Sequence, residues 1–355
     1  MIFDRGSFKI FEMSRTLWLT RAGLTIFTTV SVGALASPAQ AAATGLATVT
    51  GTTVHYKAPK KTQNKVVLTR TGRTITVDDR VPIKPGKGCS AVKGDKTKVR
   101  CATTKNPTSI EVYTYDRNDS VVDKAGVGMY ADGGSGKDRL VGSPYSDTLD
   151  GGSGNDKIWG NGGQDYIDGN DGNDYLSGGD GDDSVDGGPG NDTLHGGAGY
   201  DHLFGMEGND QEYGEDGPDM LEETFDPSGP DADYLSGGNG EDTVLYISRR
   251  KPVSADPDGV KGDDGSAGEH DTIATNVEDL YGGDGADRLS GTPGRNIIYG
   301  EGGDDIIYGL GGDDVLEGGY AGGGVRQKDK VNGGPGEDYC GTGKGGTLTA
   351  CEKSL

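Results

Sequence analysis

The sequence predicts an all-β molecule made of short, stacked chain segments, and three observations carry that prediction. Residues 133–222 divide without a gap into ten nine-residue units, each a glycine-rich half followed by an Asp and a short β-prone half. Position six is Asp in all ten, and position eight is apolar in all but one, where Glu212 stands. Finally, 67 Gly and only 31% hydrophobic residues cannot fill ordinary globular cores in a chain of 355 residues, so a repeat architecture is the alternative to disorder. A small β domain is expected ahead of the repeats.

At the N-terminus, residues 1–41 read as a cleaved signal peptide. Arg15 and Arg21 supply the positive region, residues 22–36 are largely apolar and small, and Ala39-Gln40-Ala41 offers the cleavage site. The mature chain then starts near Ala42 and is expected to be secreted; Met13 is an alternative initiator, because the segment before it is charged. A membrane anchor is the competing reading. The apolar run falls short of the roughly 20 residues a span needs, so no transmembrane segment is expected in the mature chain.

Residues 44–130 alternate β-branched and polar residues, as in Lys65-Val66-Val67-Leu68-Thr69 and Thr74-Ile75-Thr76-Val77, with Arg70-Thr71-Gly72-Arg73 as a hairpin turn. This segment carries 16 Lys and Arg against 7 Asp and Glu, net +9. Residues 133–222 carry 3 basic and 21 acidic residues, net −18, within a chain of net −23. That balance argues against nucleic acid and points to cation binding or to solubility alone. The basic lysines, Lys57, Lys60, Lys61 and Lys65 among them, suit either an anionic cell-wall polymer or a solvated face complementary to the acidic repeats. Four cysteines in an exported chain allow three pairings, of which Cys89 with Cys101 and Cys340 with Cys351 are the local ones. A zinc site is disfavoured by the absence of any CxxC pair.

After residue 222 the period lapses at Pro227-Ser228-Gly229-Pro230 and returns briefly around Asp242, so that 223–281 form interrupted repeats plus an insertion starting at Tyr246. Within it, Gly262-Asp263-Asp264-Gly265 and the acidic residues after it read as a polar loop or an extra cation site, without the ligand spacing of an EF-hand. Residues 282–317 hold a second array of four units with Asp287, Asn296, Asp305 and Asp314 at position six, Asn296 weakening its unit. A glycine-rich interruption at 320–327 and a last unit follow, and 318–355 serve as a C-terminal cap, since an uncapped coil exposes strand edges.

One nonapeptide cannot bury its single apolar side chain alone, so units must stack. Periodicity leaves open whether two units make one coil. If they do, equivalent residues recur every eighteen positions, and Asp138, Asp156, Asp174, Asp192 and Asp210 form one column while Asp147, Asp165, Asp183, Asp201 and Asp219 form another. Carboxylates stacked about 4.8 Å apart repel by about 1 kcal/mol per pair in water, and by 3 to 4 at an effective dielectric of about 20. Glycines permit positive φ, which lets carbonyls converge beside each Asp. Hard carboxylate and carbonyl oxygens, with no thiolate or imidazole, select Ca²⁺ over Mg²⁺.

The units resemble the G-G-x-G-x-D-x-U-x nonapeptide of RTX (repeats-in-toxin, hemolysin-type) proteins. That resemblance implies a parallel β-roll, a right-handed β-solenoid, with several Ca²⁺ ions between turns of adjacent coils, bound by the position-six Asp and by carbonyls of the glycine-rich half. The implied metal ligands are Asp138, Asp147, Asp156, Asp165, Asp174, Asp183, Asp192, Asp201, Asp210 and Asp219 in the first array, Asp242 after it, and Asp287, Asp305 and Asp314 in the second. The units of Asp138, Asp156, Asp183, Asp192, Asp201 and Asp287 match best. Asp147 lacks two of the glycines, and its unit and that of Glu212 are where the regular pattern is expected to falter. The basic domain and the insertion also resemble parts of exported bacterial RTX-repeat proteins that carry no enzyme domain.

No enzyme is expected. The chain has neither H-E-x-x-H nor G-x-S-x-G, and His195 and His202 fall inside the repeats as solvated side chains. The expected function is a secreted calcium-binding protein that folds on export. The alternative is a surface adhesin or matrix component that holds an anionic wall polymer through its basic domain.

Overall fold

The computed structural model describes residues 43–223, 231–247, 249–319, 327–343 and 345–355. The expected signal peptide, Pro227-Ser228-Gly229-Pro230 and most of the interruption at 320–327 lie outside them. Among the described residues there is no helix, and the strands form three sheets. A 16-stranded sheet reaches from Ile83–Pro85 to Lys353–Ser354. The other side of the coil is first a 12-stranded sheet, from Cys89–Val92 to Thr272–Ile273, and then a six-stranded one ending at Thr347–Thr349.

Successive nonapeptides alternate between the two sides. Arg139–Val141, Lys157–Gly162 and Tyr175–Asp180 pair in parallel in the 12-stranded sheet, while Thr148–Asp150, Tyr166–Asp168 and Ser184–Asp186 pair in parallel in the 16-stranded one. Leu140 faces Ile158 and Leu149 faces Ile167. The repeat distance is therefore eighteen residues and two nonapeptides make one coil, a parallel β-roll. Position eight points inward on both sides, where Leu140, Leu149, Ile158, Ile167 and Leu176 are fully buried in one continuous core. Each unit of the first array but that of Glu212 contributes one such side chain, which is why no unit folds without its neighbours.

The register survives the lapse after residue 222, because Gln211 pairs with Tyr234 and Thr243 with Met220. The insertion is built into the roll. Its Thr272–Ile273 closes the 12-stranded sheet against Tyr234-Leu235, and its Val253–Ala255 starts the six-stranded sheet against Arg288–Ser290. The acidic stretch is stitched in as well, Asp264 being buried with Oδ1 on the Asp256 N–H and Oδ2 on the Ile273 N–H, both at 2.8 Å.

Residues 44–130 contain the expected hairpin, Lys65–Thr71 against Thr74–Asp78, with Gly72 at φ +60° in its turn. A second hairpin, Cys89–Val92 with Asp95–Ala102, is closed by the Cys89–Cys101 disulfide. No break separates this segment from the repeats: Ser109–Tyr113 pairs with Met129–Asp132, and Lys65–Thr71 pairs with Ser120–Lys124, which continues into Arg139–Val141. At the far end a Cys340–Cys351 disulfide ties the last coil to the C-terminal strands.

Candidate metal centre

All fourteen Asp residues named as ligands are buried. Each sits at the end of a glycine-rich turn, immediately before an inward-facing strand, so the chain's own alternation turns its side chain back under the turn. There Oδ1 accepts the N–H of the position-six residue one coil earlier. Asp138 N–H donates to Asp156 Oδ1 at 2.6 Å, Asp156 to Asp174 at 2.6 Å, and Asp174 to Asp192 at 2.7 Å. On the opposite side Asp147 donates to Asp165, Asp165 to Asp183 and Asp183 to Asp201, each at 2.8 Å. These are the two columns expected from an eighteen-residue coil, joined into ladders by their own backbones.

The second oxygen is another matter. Oδ2 of Asp138, Asp156, Asp165, Asp174, Asp183, Asp192, Asp201, Asp210, Asp219, Asp242, Asp305 and Asp314 is buried and makes no hydrogen bond. A buried carboxylate oxygen without a partner is costly, and its repetition along the ladders marks a missing counter-charge as a property of the repeat. Oxygens crowd the same spot: a Cβ on Gly151, at position one, would lie 2.7 Å from Asp156 Oδ2 and 2.9 Å from the Gly169 carbonyl of the next coil. At position four, Gly154 has φ +133° and a Cβ there would stand 1.5 Å from the Gly136 carbonyl. Glycine thus keeps open a cradle walled by carboxylate and carbonyl oxygens, a donor set that fits calcium.

Burial pushes these carboxylates up from the ordinary 3.8, the backbone N–H bonds oppose it, and neighbouring carboxylates add to it, such as Asp156 in the same column for Asp138 and the adjacent Asp182 for Asp183. Asp183 reaches about 6, Asp138 and Asp192 about 7, and Asp210 about 8. Without cations the ladders would have to take up protons to stay folded.

Two of the fourteen differ. Asp147 Oδ2 accepts the Ser143 N–H at 2.5 Å, in the unit that lacks two glycines. Asp287, although its unit matches the repeat well, has Oδ2 on the Gly283 N–H at 2.8 Å. Asn296 accepts the Thr292 N–H at 2.8 Å and donates to the Glu278 carbonyl at 2.6 Å, so an uncharged amide completes that rung. At Glu212 the backbone pattern does not falter, for it pairs with both Leu194 and Leu235; the break is chemical, a fully buried carboxylate in the apolar column.

Sequence reasoning missed further rungs. Asp119, Asp233, Asp271 and Asp338 each carry a buried Oδ2 without a hydrogen bond, and Asp119, Asp233 and Asp338 take the N–H bonds of Asn64, Asp210 and Asp314. The glycine halves before Asp119, Asp233 and Asp271 are degenerate, whereas Asp338 ends an intact Gly333-Gly334-Pro335-Gly336-Glu337-Asp338; each of the four begins an Asp-x-apolar triplet, such as Asp119-Ser120-Val121 and Asp271-Thr272-Ile273. That half-motif was the available signal. His195 and His202 are on different sheets, paired with Glu215 at 2.7 Å and Glu222 at 2.6 Å.

The RTX calcium-binding nonapeptide repeat model matches residues 132–167, 159–194, 186–221, 228–245 and 281–316, and no enzyme domain family is found in the chain. No curated protein matches it. Among the described residues no helix is long and apolar enough to cross a membrane. RTX nonapeptides bind multiple Ca²⁺ ions and form β-rolls, and the chain carries them over the matched residues, as a calcium-binding β-roll protein.

Proposed function

We propose that the protein is secreted and that external calcium folds it, with the Oδ2 atoms of the position-six Asp residues and neighbouring turn carbonyls as the ligands. The observation that carries this reading is the recurrence of a buried Oδ2 without a hydrogen bond at twelve of the fourteen Asp positions, all but Asp147 and Asp287. In this reading Ca²⁺ supplies positive charge between carboxylates that otherwise repel one another. The chain's own residues do the rest: Oδ1 holds the coil register, glycine admits the ion, and the position-eight side chains seal the core. A ligand bound only by the folded state stabilises it by mass action, so a calcium-poor interior keeps the array open and export closes it. Far-UV circular dichroism of the full mature chain tests this: little β signal is expected in chelator, and a cooperative gain on adding millimolar-range Ca²⁺. Identical spectra in both conditions would overturn it.

A second reading rests on the charge split, net +9 over 44–130 against −18 over 133–222. Here the protein is a surface adhesin or matrix component, calcium stiffens the roll, and the basic end holds an anionic wall polymer. Retention of the calcium-loaded chain on isolated cell walls, abolished by salt and by the triple variant Lys57→Glu, Lys60→Glu, Lys61→Glu, supports it. Retention that ignores both rules it out.

A further inference from the structure

One column of turns has a stretch without its repeat residues. Position one in this column is glycine from Gly133 through Gly151, Gly169 and Gly187 to Gly205, and glycine again at Gly282 and Gly300. Between them the same place in the coil falls to Glu223 and Tyr246, whose N–H groups donate to the Leu245 and Tyr281 carbonyls just as the Gly187 N–H donates to the Phe204 carbonyl, each at 2.8 Å. Both side chains are buried, where glycine elsewhere keeps a cradle open. Position six is lost as well in the turn after Tyr246. Val253 stands there, its N–H donating to Asp287 Oδ1 at 2.8 Å as the rung residues do. This turn therefore has neither the glycine nor the carboxylate of a repeat site.

It has Arg249 instead. The side chain is 1% exposed, and three of its nitrogens hold three oxygens. Nη2 pairs with Glu223 Oε2 at 2.9 Å, Nη1 with Glu269 Oε1 at 2.8 Å, and Nε donates to the Glu223 carbonyl at 3.0 Å. That carbonyl belongs to position one, and its counterparts at Gly169 and Gly205 wall the cradles of Gly151 and Gly187. The guanidinium also lies over the Tyr246 ring, 5.6 Å from its centre. Burial raises Asp231, Asp233 and Asp271, and the charge of Arg249 opposes that rise in each. Unpaired charges at this depth cost several kcal/mol each, and a planar fork of donors is suited to meeting carboxylate and carbonyl oxygens together.

We propose that Arg249 is a built-in cation, its guanidinium filling the place that a calcium ion would take between the coils of Glu223 and Tyr246, so that this junction closes without metal. The inference rests on the reading of the repeat turns as calcium sites. Arg249 touches all three segments that meet here. Glu223 directly follows the first array, Glu269 lies in the insertion, and the Arg249 carbonyl accepts the Asp284 N–H of the second array at 2.7 Å. The join between the arrays thus carries its own counter-charge, whereas the turns on either side take theirs from solution.

The test counts Ca²⁺ per full mature chain at saturation, by equilibrium dialysis and atomic emission. Arg249→Ala leaves the three oxygens around an open space and should bind one ion more than the wild type. Arg249→Lys keeps a cation and should bind the wild-type number. Asp183→Asn, in a repeat turn, should bind one fewer. A wild-type count in folded Arg249→Ala overturns the built-in cation, and a lost ion in Asp183→Asn then leaves the calcium reading of the turns standing. A wild-type count in Asp183→Asn removes that reading and this inference with it. If Arg249→Ala does not fold, the triple variant Arg249→Ala, Glu223→Gln, Glu269→Gln decides. With both carboxylates neutralised it should fold and bind the wild-type number, and failure to fold at any calcium concentration overturns the role assigned to the charge.

Discussion

Asp183 shows how one side chain serves two ends. Its Oδ1 accepts the Asp165 N–H at 2.8 Å, while its Oδ2 is buried without a hydrogen bond. The two roles separate under substitution. Asp183→Asn keeps an acceptor for Asp165 and removes the charge, so calcium-driven folding should shift to several-fold higher calcium with the folded spectrum unchanged. Asp183→Ala removes the acceptor as well and leaves a buried N–H unsatisfied, a further loss of about 1–3 kcal/mol, read as a lower melting temperature than Asp183→Asn at saturating calcium. Asp147→Asn should shift the calcium midpoint less, because its Oδ2 already accepts the Ser143 N–H. Equal shifts for Asp147→Asn and Asp183→Asn would remove the Oδ2 argument. At this scale the sequence exposed Asp183 through its period and the weakness of Asp147 through its missing glycines. It did not expose Asp287, whose unit looks regular, because the hydrogen bond from Gly283 follows from the fold of the insertion beside it.

A ladder is an element with a collective charge. Its carboxylates lie above their ordinary range, at about 6 for Asp219, about 7 for Asp201 and about 8 for Asp305, with burial as the main cause. A folded-state pKa above the unfolded value means that the folded chain binds more protons, so the stability linked to these groups is full below about pH 4 and is lost as pH rises through about 6 to 8. Calcium-depleted protein should therefore show more β signal by circular dichroism at pH 5 than at pH 8, with protons standing in for the metal. Equal disorder at both values would show that neutralising the ladder is not what limits folding. Added calcium must displace those protons, so its midpoint should be higher at pH 6 than at pH 8. Ladder membership was partly legible. Asp-x-apolar triplets mark Asp119, Asp233 and Asp271, but only strand pairing shows that units with degenerate glycine halves keep the register.

For the whole molecule the coil is the unit of construction. Deleting residues 160–177 removes eighteen residues and returns every later strand to its own side, so the shortened protein should still fold with calcium, in one cooperative thermal transition. Deleting only 160–168 moves all later strands to the opposite side and sets the two ends of the roll against each other. That variant should melt at lower temperature and less cooperatively in the same calcium buffer. If the nine-residue deletion melts like the eighteen-residue one, the alternation between sheets is not a constraint. The ends matter because a solenoid has edges: Cys89–Cys101 lies in the N-terminal strands and Cys340–Cys351 in the C-terminal ones, where unpaired backbone would otherwise face solvent.

By itself the sequence determined what is local and repeated: the nine-residue period, the buried column of Leu140, Leu149 and Ile158, the oxygen-rich turns, and the hairpin at Gly72. These follow from residue type and spacing, because a turn needs glycine and a strand alternates its faces. The tertiary structure alone decided what depends on closure: that two units make one coil, that residues 44–130 extend the same sheets, that the insertion replaces one side of the roll, and that Asp231, Asp233 and Asp271 meet. Those contacts join residues of different coils and segments, and no local pattern encodes which segments will stack.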